Sequence, residues 1–137
     1  MDRYQIKVED KPASEDTQVL WRSLYEFNVA QTGDRGHSIS VFVRDRDGQI
    51  VGGAQGWAAL GWLHIEILWL REDLRGEGLG RQVLEATEAE AKRRGCKFSK
   101  LETFSFQAPE FYKKNGYAVF AELEAGEHCW YFMRKDL

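Results

Sequence analysis

Two places in the chain carry residue types whose spacing can do chemistry. The first is Arg75-Gly76-Glu77-Gly78-Leu79-Gly80, followed by Arg81. Its glycines free backbone N–H groups to point at one place, and a helix N-terminus behind them adds its own. Such a loop suits phosphate oxygens, and Arg75 and Arg81 bracket it with positive charge. A tight turn needing positive φ would use the same glycines, so composition alone leaves both readings open. Two familiar phosphate loops are excluded. A dinucleotide fingerprint starting at Gly76 would need its last glycine where Arg81 stands, and no Gly-Lys-Ser/Thr follows to make a P-loop. The second place is Trp62 to Leu70, where His64 and Glu66 interrupt apolar text. An acid and an imidazole side by side on one strand face need something there to satisfy them. His37 stands in a connecting loop, and His128 lies two residues before Trp130 in a closing hairpin, where a loop or rim role is expected. No pair of His or Cys has ligand spacing, so no metal is expected.

The elements that position these residues are legible in the patterning. Tyr4 to Val8 alternates and reads as a first strand. Ser14 is the expected N-cap of a helix with Glu15 and Asp16 in its first turn, Leu20, Leu24 and Phe27 at helical spacing, and Gly33 at its end. Ser38 to Val43 and Ile50 to Gln55 read as a hairpin around Asp45-Arg46-Asp47-Gly48. In Trp62 to Leu70, strict alternation puts Leu63, Ile65, Ile67 and Trp69 on the core face, and Trp62, His64, Glu66, Leu68 and Leu70 on the other. The helix after the glycine loop has Leu79, Val83, Leu84, Thr87 and Ala91 inside, with Glu88 and Lys92 expected to pair outside. Gly95 ends it, Lys97 to Phe104 is a strand, and Pro109 opens a short helix closed by Asn115-Gly116. Tyr117 to Leu123 and His128 to Arg134 form the last hairpin. Strand, glycine loop, helix, strand implies a parallel crossover inside an otherwise antiparallel arrangement. The class is α/β with a mixed sheet.

Composition bounds the rest. A chain of 137 residues with 43% hydrophobic and 13% aromatic residues suits one folded domain, residues 1–137. A net charge of −3 argues against nucleic acid as the main partner. No apolar run is long enough for a membrane span, and Met1-Asp2-Arg3-Tyr4 has no apolar leader core behind it. Cys96 and Cys129 lack CxxC spacing, as expected of free thiols in a cytoplasmic protein.

Arg75-x-x-Gly78-x-Gly80, after a strand and opening a helix, resembles the acyl-CoA signature of the GNAT N-acetyltransferase superfamily. Phe111-Tyr112-Lys113-Lys114-Asn115-Gly116-Tyr117 resembles a second segment of the same superfamily, at the matching distance of one helix and one strand. The resemblance covers roughly Ile50 to Arg134, and Ser105-Phe106-Gln107-Ala108 is similar to a bacterial subgroup. It implies a mixed, mostly antiparallel sheet flanked by helices, with a central parallel pair splayed to hold acyl-CoA. Pantetheine would pair with the backbone of Leu68, Trp69 and Leu70. The pyrophosphate would sit on the amides of Gly76, Glu77, Gly78, Leu79, Gly80 and Arg81, beside Arg75. Gln107 stands where the superfamily often has Asn, and the role of holding the cofactor carries over to it.

The resemblance also implies the reaction, transfer of an acetyl group from acetyl-CoA to an amine by direct attack on the thioester. That chemistry needs a base for the amine, stabilisation of an oxyanion and a proton for the leaving thiolate. Tyr112 matches the superfamily tyrosine near the thioester sulfur and is the expected acid; a core aromatic with its hydroxyl at the rim is the alternative. Glu66 is the first choice for the base, with His64 or water behind it, unless Glu66 binds a cationic acceptor instead. Glu122, Glu124 and Glu127 would attract such an acceptor or simply solvate a turn. Trp57 and Trp62 would line its pocket or pack in a core or dimer. Superfamily members are often homodimers, and nothing in the sequence decides this. Two other classes compete: an acyl-CoA-binding sensor without turnover, and a nucleotide-binding module resting on the glycine loop alone.

Overall fold

The computed structural model describes residues 3–137. Met1 and Asp2, where the segment read for a leader starts, lie outside the described residues. The chain divides into two compact units, one ending at Arg35 and one running from Gly36 to Leu137.

The first unit holds one helix, α1 (Ser14–Thr32), ended by Gly33 in the left-handed conformation. Its N-cap is Ala13 and no side chain caps it, so Ser14 is the first helical residue rather than the cap. The strand expected at Tyr4 to Val8 does not form. A strand needs a partner for its N–H and C=O groups, and this unit offers only a helix. Tyr4, Ile6 and Val8 are correspondingly exposed.

The second unit is a six-stranded sheet with two helices. Its strands are β1 (His37–Arg44), β2 (Ile50–Ala59), β3 (Trp62–Leu70), β4 (Phe98–Phe104), β5 (Ala118–Ala125) and β6 (His128–Asp136), in the order β1-β2-β3-β4-β6-β5. All neighbours are antiparallel except β3 and β4. The turn at Asp45 closes as expected, its Oδ1 accepting from the N–H groups of Asp47 and Gln49 at 2.9 Å each. Between β3 and β4 runs α2 (Leu79–Arg93), and before β5 comes α3 (Pro109–Lys114).

Val83, Leu84, Thr87 and Ala91 of α2 are buried as the periodicity requires. Leu84 and Ala91 join Leu63, Ile65, Leu101, Met133 and Tyr112 in one cluster, so both helices of this unit lie on one face of the sheet. Glu88 departs from the expected pair with Lys92. It is only 8% exposed, accepting from Tyr117 Oη and Lys135 Nζ at 2.8 Å each. Ser99 Oγ lies 2.7 Å from Tyr117 Oη and completes the network. Removing either donor would leave this buried carboxyl short of a hydrogen bond.

The largest correction falls on β3. Gln55 of β2 lies opposite Ile67, and the next residue, Gly56, lies opposite Ile65, which leaves Glu66 as an extra residue. This bulge shifts the alternation by one, so that Leu70 is buried while Ile67 and Trp69 are 55% and 48% exposed. Strict period-two reading put Ile67 and Trp69 in the core and is wrong from Glu66 onward.

Candidate active site

The parallel ladder between β3 and β4 runs from Trp62–Phe98 to Ile65–Leu101 and stops there. Both strands continue, to Leu70 and Phe104, without pairing to each other. The gap opens into a cavity of about 1300 Å³. That exceeds the ~300–1,000 Å³ of a drug-sized ligand site and suits a long, thin molecule. One wall is the second half of β3, with Glu66, Leu68, Trp69 and Leu70; the other is β4 and the start of α3, with Glu102, Thr103, Gln107 and Tyr112.

The glycine loop closes one end, contributing Arg75, Gly76, Gly78, Gly80 and Arg81 to the lining, whereas Glu77 and Leu79 do not line it. Gly76 and Gly78 have φ of 85° and 83°, and a Cβ at either would meet nothing within 4 Å. The positive φ explains glycine there, and the empty space on the loop's surface is room for a ligand. Gly78 is also the N-cap of α2, with no side chain capping the first turn and no acid in it. The first-turn amides therefore have no partner within the helix, and no acid of the first turn offsets the positive dipole end. Arg75 is fixed by its Nε donating to the Leu70 carbonyl at 3.0 Å, which ties the loop to the end of β3. Arg81 is paired with Glu85 at 2.8 Å. Lys114 adds a further cation to the lining.

Tyr112 is packed edge-on between Phe111 and Tyr117. Its hydroxyl has no hydrogen-bond partner among the described residues, yet no buried polar atom there is left sealed and unpaired, so the oxygen opens to the cavity. Burial pushes the Tyr112 phenol above its ordinary value near 10. Tyr117 is pushed up further, by burial first and then by the Glu88 carboxylate, with the Ser99 bond opposing. Gln107 serves its own turn: its Oε1 accepts from the Phe104 N–H at 2.8 Å, leaving only the amide nitrogen for another partner.

Glu66, at the bulge, is exposed and lines the cavity without an ion-pair partner among the described residues. His64 does not line it; its Nε2 lies 3.8 Å from Glu102 on the sheet face away from the helices. His128 stands edge-on to Phe106, itself a lining residue, and Trp130 stacks on Phe104; neither His128 nor Trp130 lines the cavity. His37 pairs with Arg94. Trp62 packs on Phe98 with Arg134 over both rings, and neither Trp62 nor Trp57 lines the cavity. Nor do Glu122, Glu124 and Glu127; the acids that do are Glu66, Glu85 and Glu102. Sequence reasoning missed Glu102, Lys114 and Lys135, which sheet register and the α3 turn bring in. Among the described residues no group of His, Cys, Asp or Glu gathers as a metal site, and no helix is long and apolar enough to cross a membrane.

Residues 37–119 match the family model described as an acetyltransferase (GNAT) domain. The chain is 40% identical over 77 residues to blasticidin-S acetyltransferase of Streptomyces morookaense, a match spanning 56% of this chain and 57% of that relative. It is 30% identical over 101 residues to an acetyltransferase of Agrobacterium fabrum, spanning 73% and 74% of the two chains. A crystal structure of an acetyltransferase from Bacillus cereus superposes with a TM-score of 0.78 at 33% identity, covering 96% of this chain and 98% of that one.

Proposed function

Because the chain belongs to the acetyltransferase (GNAT) family, we propose that it is an acetyl-CoA-dependent N-acetyltransferase acting in the cytoplasm on a primary amine of a small molecule or protein. The observation that carries this reading is the parting of β3 and β4 beside the glycine loop. The chain is taken as one acetyltransferase domain, all of whose candidate site residues lie between Gly36 and Leu137.

The residues present fit acetyl-CoA. Beyond Ile65, the edge of β3 that faced β4 has no ladder partner there, so the backbone of Leu68 to Leu70 can pair with the amides of pantetheine as with an added strand. Gly76 to Arg81 offer amides and a helix N-terminus to the pyrophosphate, with Arg75 and Lys114 as counter-charges. The Gln107 amide nitrogen can donate to a pantetheine carbonyl. When bound, acetyl-CoA supplies a thioester.

The chain's own residues then act on the acceptor and the leaving group. Glu66, directly or through a water, takes a proton from the incoming ammonium, so that the free amine can attack. The oxyanion of the tetrahedral adduct needs a donor, and unpaired N–H groups of β3 past the bulge are at hand. As the adduct collapses, its C–S bond breaks, Tyr112 gives its hydrogen bond or proton to the departing thiolate, and the cationic nitrogen loses its remaining extra proton to water or back to the phenolate, leaving the neutral amide. The match to blasticidin-S acetyltransferase makes blasticidin S the first acceptor to test. The experiment is a thiol-release screen with acetyl-CoA against a panel of amines that includes it. Release dependent on one amine supports the proposal. Tight CoA binding without release for any amine would favour an acyl-CoA sensor, and stabilisation by ATP or NAD but not CoA would favour a nucleotide module.

A further inference from the structure

The cavity passes through the sheet. In β4, Leu101 and Thr103 are buried toward α2 and α3, whereas Glu102 between them points the other way, and all three line it. Tyr112 and the glycines that open α2 stand on the helix side. Phe104 shares the face of Glu102 by alternation. Phe106, in the turn between β4 and α3, stacks on Phe104 and lines the cavity at its other mouth.

The turn that carries Phe106 is pinned on both sides. The Ser105 N–H donates to the Cys129 carbonyl at 2.8 Å, and Ser105 Oγ accepts from the Cys129 N–H at 3.0 Å. The Gln107 N–H donates to the Phe104 carbonyl at 2.9 Å, and Gln107 Oε1 accepts from the Phe104 N–H. The ring itself is held as firmly. Phe106 and Phe104 are 5.3 Å apart with 10° between their planes, Phe104 stacks on Trp130, and His128 meets Phe106 edge-on at 4.8 Å. Even so, Phe106 is 63% exposed. A fixed aromatic ring is therefore presented at the cavity with much of its surface open. All of these residues lie within the unit from Gly36 to Leu137.

We infer that the acceptor amine carries a planar aromatic ring, which lies on Phe106 while its ammonium group lies toward Glu102 and Glu66. The inference rests on the acetyl-transfer reading for what happens to the amine; the ring site itself does not. A ring already fixed by its turn and its stack loses no rotamer freedom when a ligand settles on it. Aromatic pairs also gain beyond the area they bury, because the edge of one ring matches the face of another. Glu102 and Phe104 are two strand residues apart, about 7 Å, so a short linker joins amine and ring. A saturated ring of the same size covers similar apolar area without the aromatic match, and so isolates the contribution of Phe106.

The test measures thiol release from acetyl-CoA by the full chain with 2-phenylethylamine and with 2-cyclohexylethylamine as acceptors. The phenyl amine should show a KM about two- to tenfold lower. Phe106→Leu should bring the two KM values together and leave acetyl-CoA affinity, read by calorimetry, as in the wild type. The same pair at the N-terminus of a tripeptide, phenylalanine against cyclohexylalanine, tells a free amine from a peptide end; a ring preference in either pair supports the inference. Equal KM values in both pairs overturn it, as does a preference that survives Phe106→Leu. A Phe106→Leu chain that loses acetyl-CoA affinity assigns the ring to the cofactor and overturns it too. If no amine is turned over, acetyl transfer fails, and calorimetry of the same amines on the CoA-bound protein reads the ring site separately. Tighter binding of the phenyl amine there supports the site, and equal or absent binding overturns it.

Discussion

Tyr112→Phe removes one hydroxyl from the wall of the cavity and keeps the ring packed between Phe111 and Tyr117. That hydroxyl bonds to no described residue, so its loss orphans no partner, and stability should move by less than about 0.5 kcal/mol. The effect on chemistry should be larger. A positioned acid is worth ~10²–10⁴ in rate, and a thiolate is a fair leaving group, which puts the loss at the low end. We expect kcat to fall roughly 100-fold, or about 2.7 kcal/mol of transition-state stabilisation. Because burial holds the phenol protonated above its ordinary pKa, the wild type should keep its acid to about pH 10. The two pH profiles should then run parallel, with the variant displaced downward. The assay is thiol release at saturating acetyl-CoA and acceptor, with cofactor affinity by calorimetry and Tm by scanning. Full kcat in the variant would refute the argument, and lost cofactor affinity at unchanged kcat would make Tyr112 a binding residue instead.

Glu66→Gln should lower turnover more at low pH than at high pH, where more of the amine is already neutral; a raised acceptor KM with kcat intact would instead make Glu66 a binding group. Gly78→Val puts a β-branched side chain at φ 83°, costing about 1–2 kcal/mol in Tm measurements, and its side chain takes the space assigned to the pyrophosphate. Calorimetry should show acetyl-CoA affinity down by at least about tenfold. Tyr117→Phe breaks the bonds to Glu88 and Ser99 and should lower stability by about 1–3 kcal/mol in chemical denaturation. Tyr112 and Tyr117 both have raised pKa values in the fold, so the stability they contribute is fully present below about pH 10 and is lost as pH rises through their folded values. Absorbance titration should therefore show these two phenols ionising above the range of an unperturbed phenol.

What the sequence made legible was local. The buried stripe of α2, the turn at Asp45 and the glycine loop are each set by a few neighbouring residues, and the structure keeps all three. The contacts that escaped are long-range. Glu88 looks like half of a surface pair with Lys92 because only helical spacing is visible in one dimension; its true partners, Tyr117 and Lys135, are 29 and 47 residues away. Glu102 reaches the cavity because the parallel ladder ends one residue before it. At Tyr4 to Val8 alternation was present, but alternation describes a face, and without a neighbouring strand it makes no ladder.

The bulge at Glu66 was equally invisible, yet the sequence contains a reason for the gap that follows it. The parallel register pairs His64 with Lys100 and Ile65 with Leu101. One step further would set Glu66 directly beside Glu102, and like charges directly opposite each other are destabilising in a sheet. Ending the ladder at Ile65 avoids that pair, and the extra residue opposite Gln55 and Gly56 turns β3 as it leaves. The two carboxylates then stand on opposite walls of the cavity, where, on the proposed function, a protonated amine entering between them would be attracted by both. His64 lies against Glu102, whereas Glu66 has no such partner among the described residues. On the proposed mechanism, the acid set aside by the end of the ladder is the one that takes the proton.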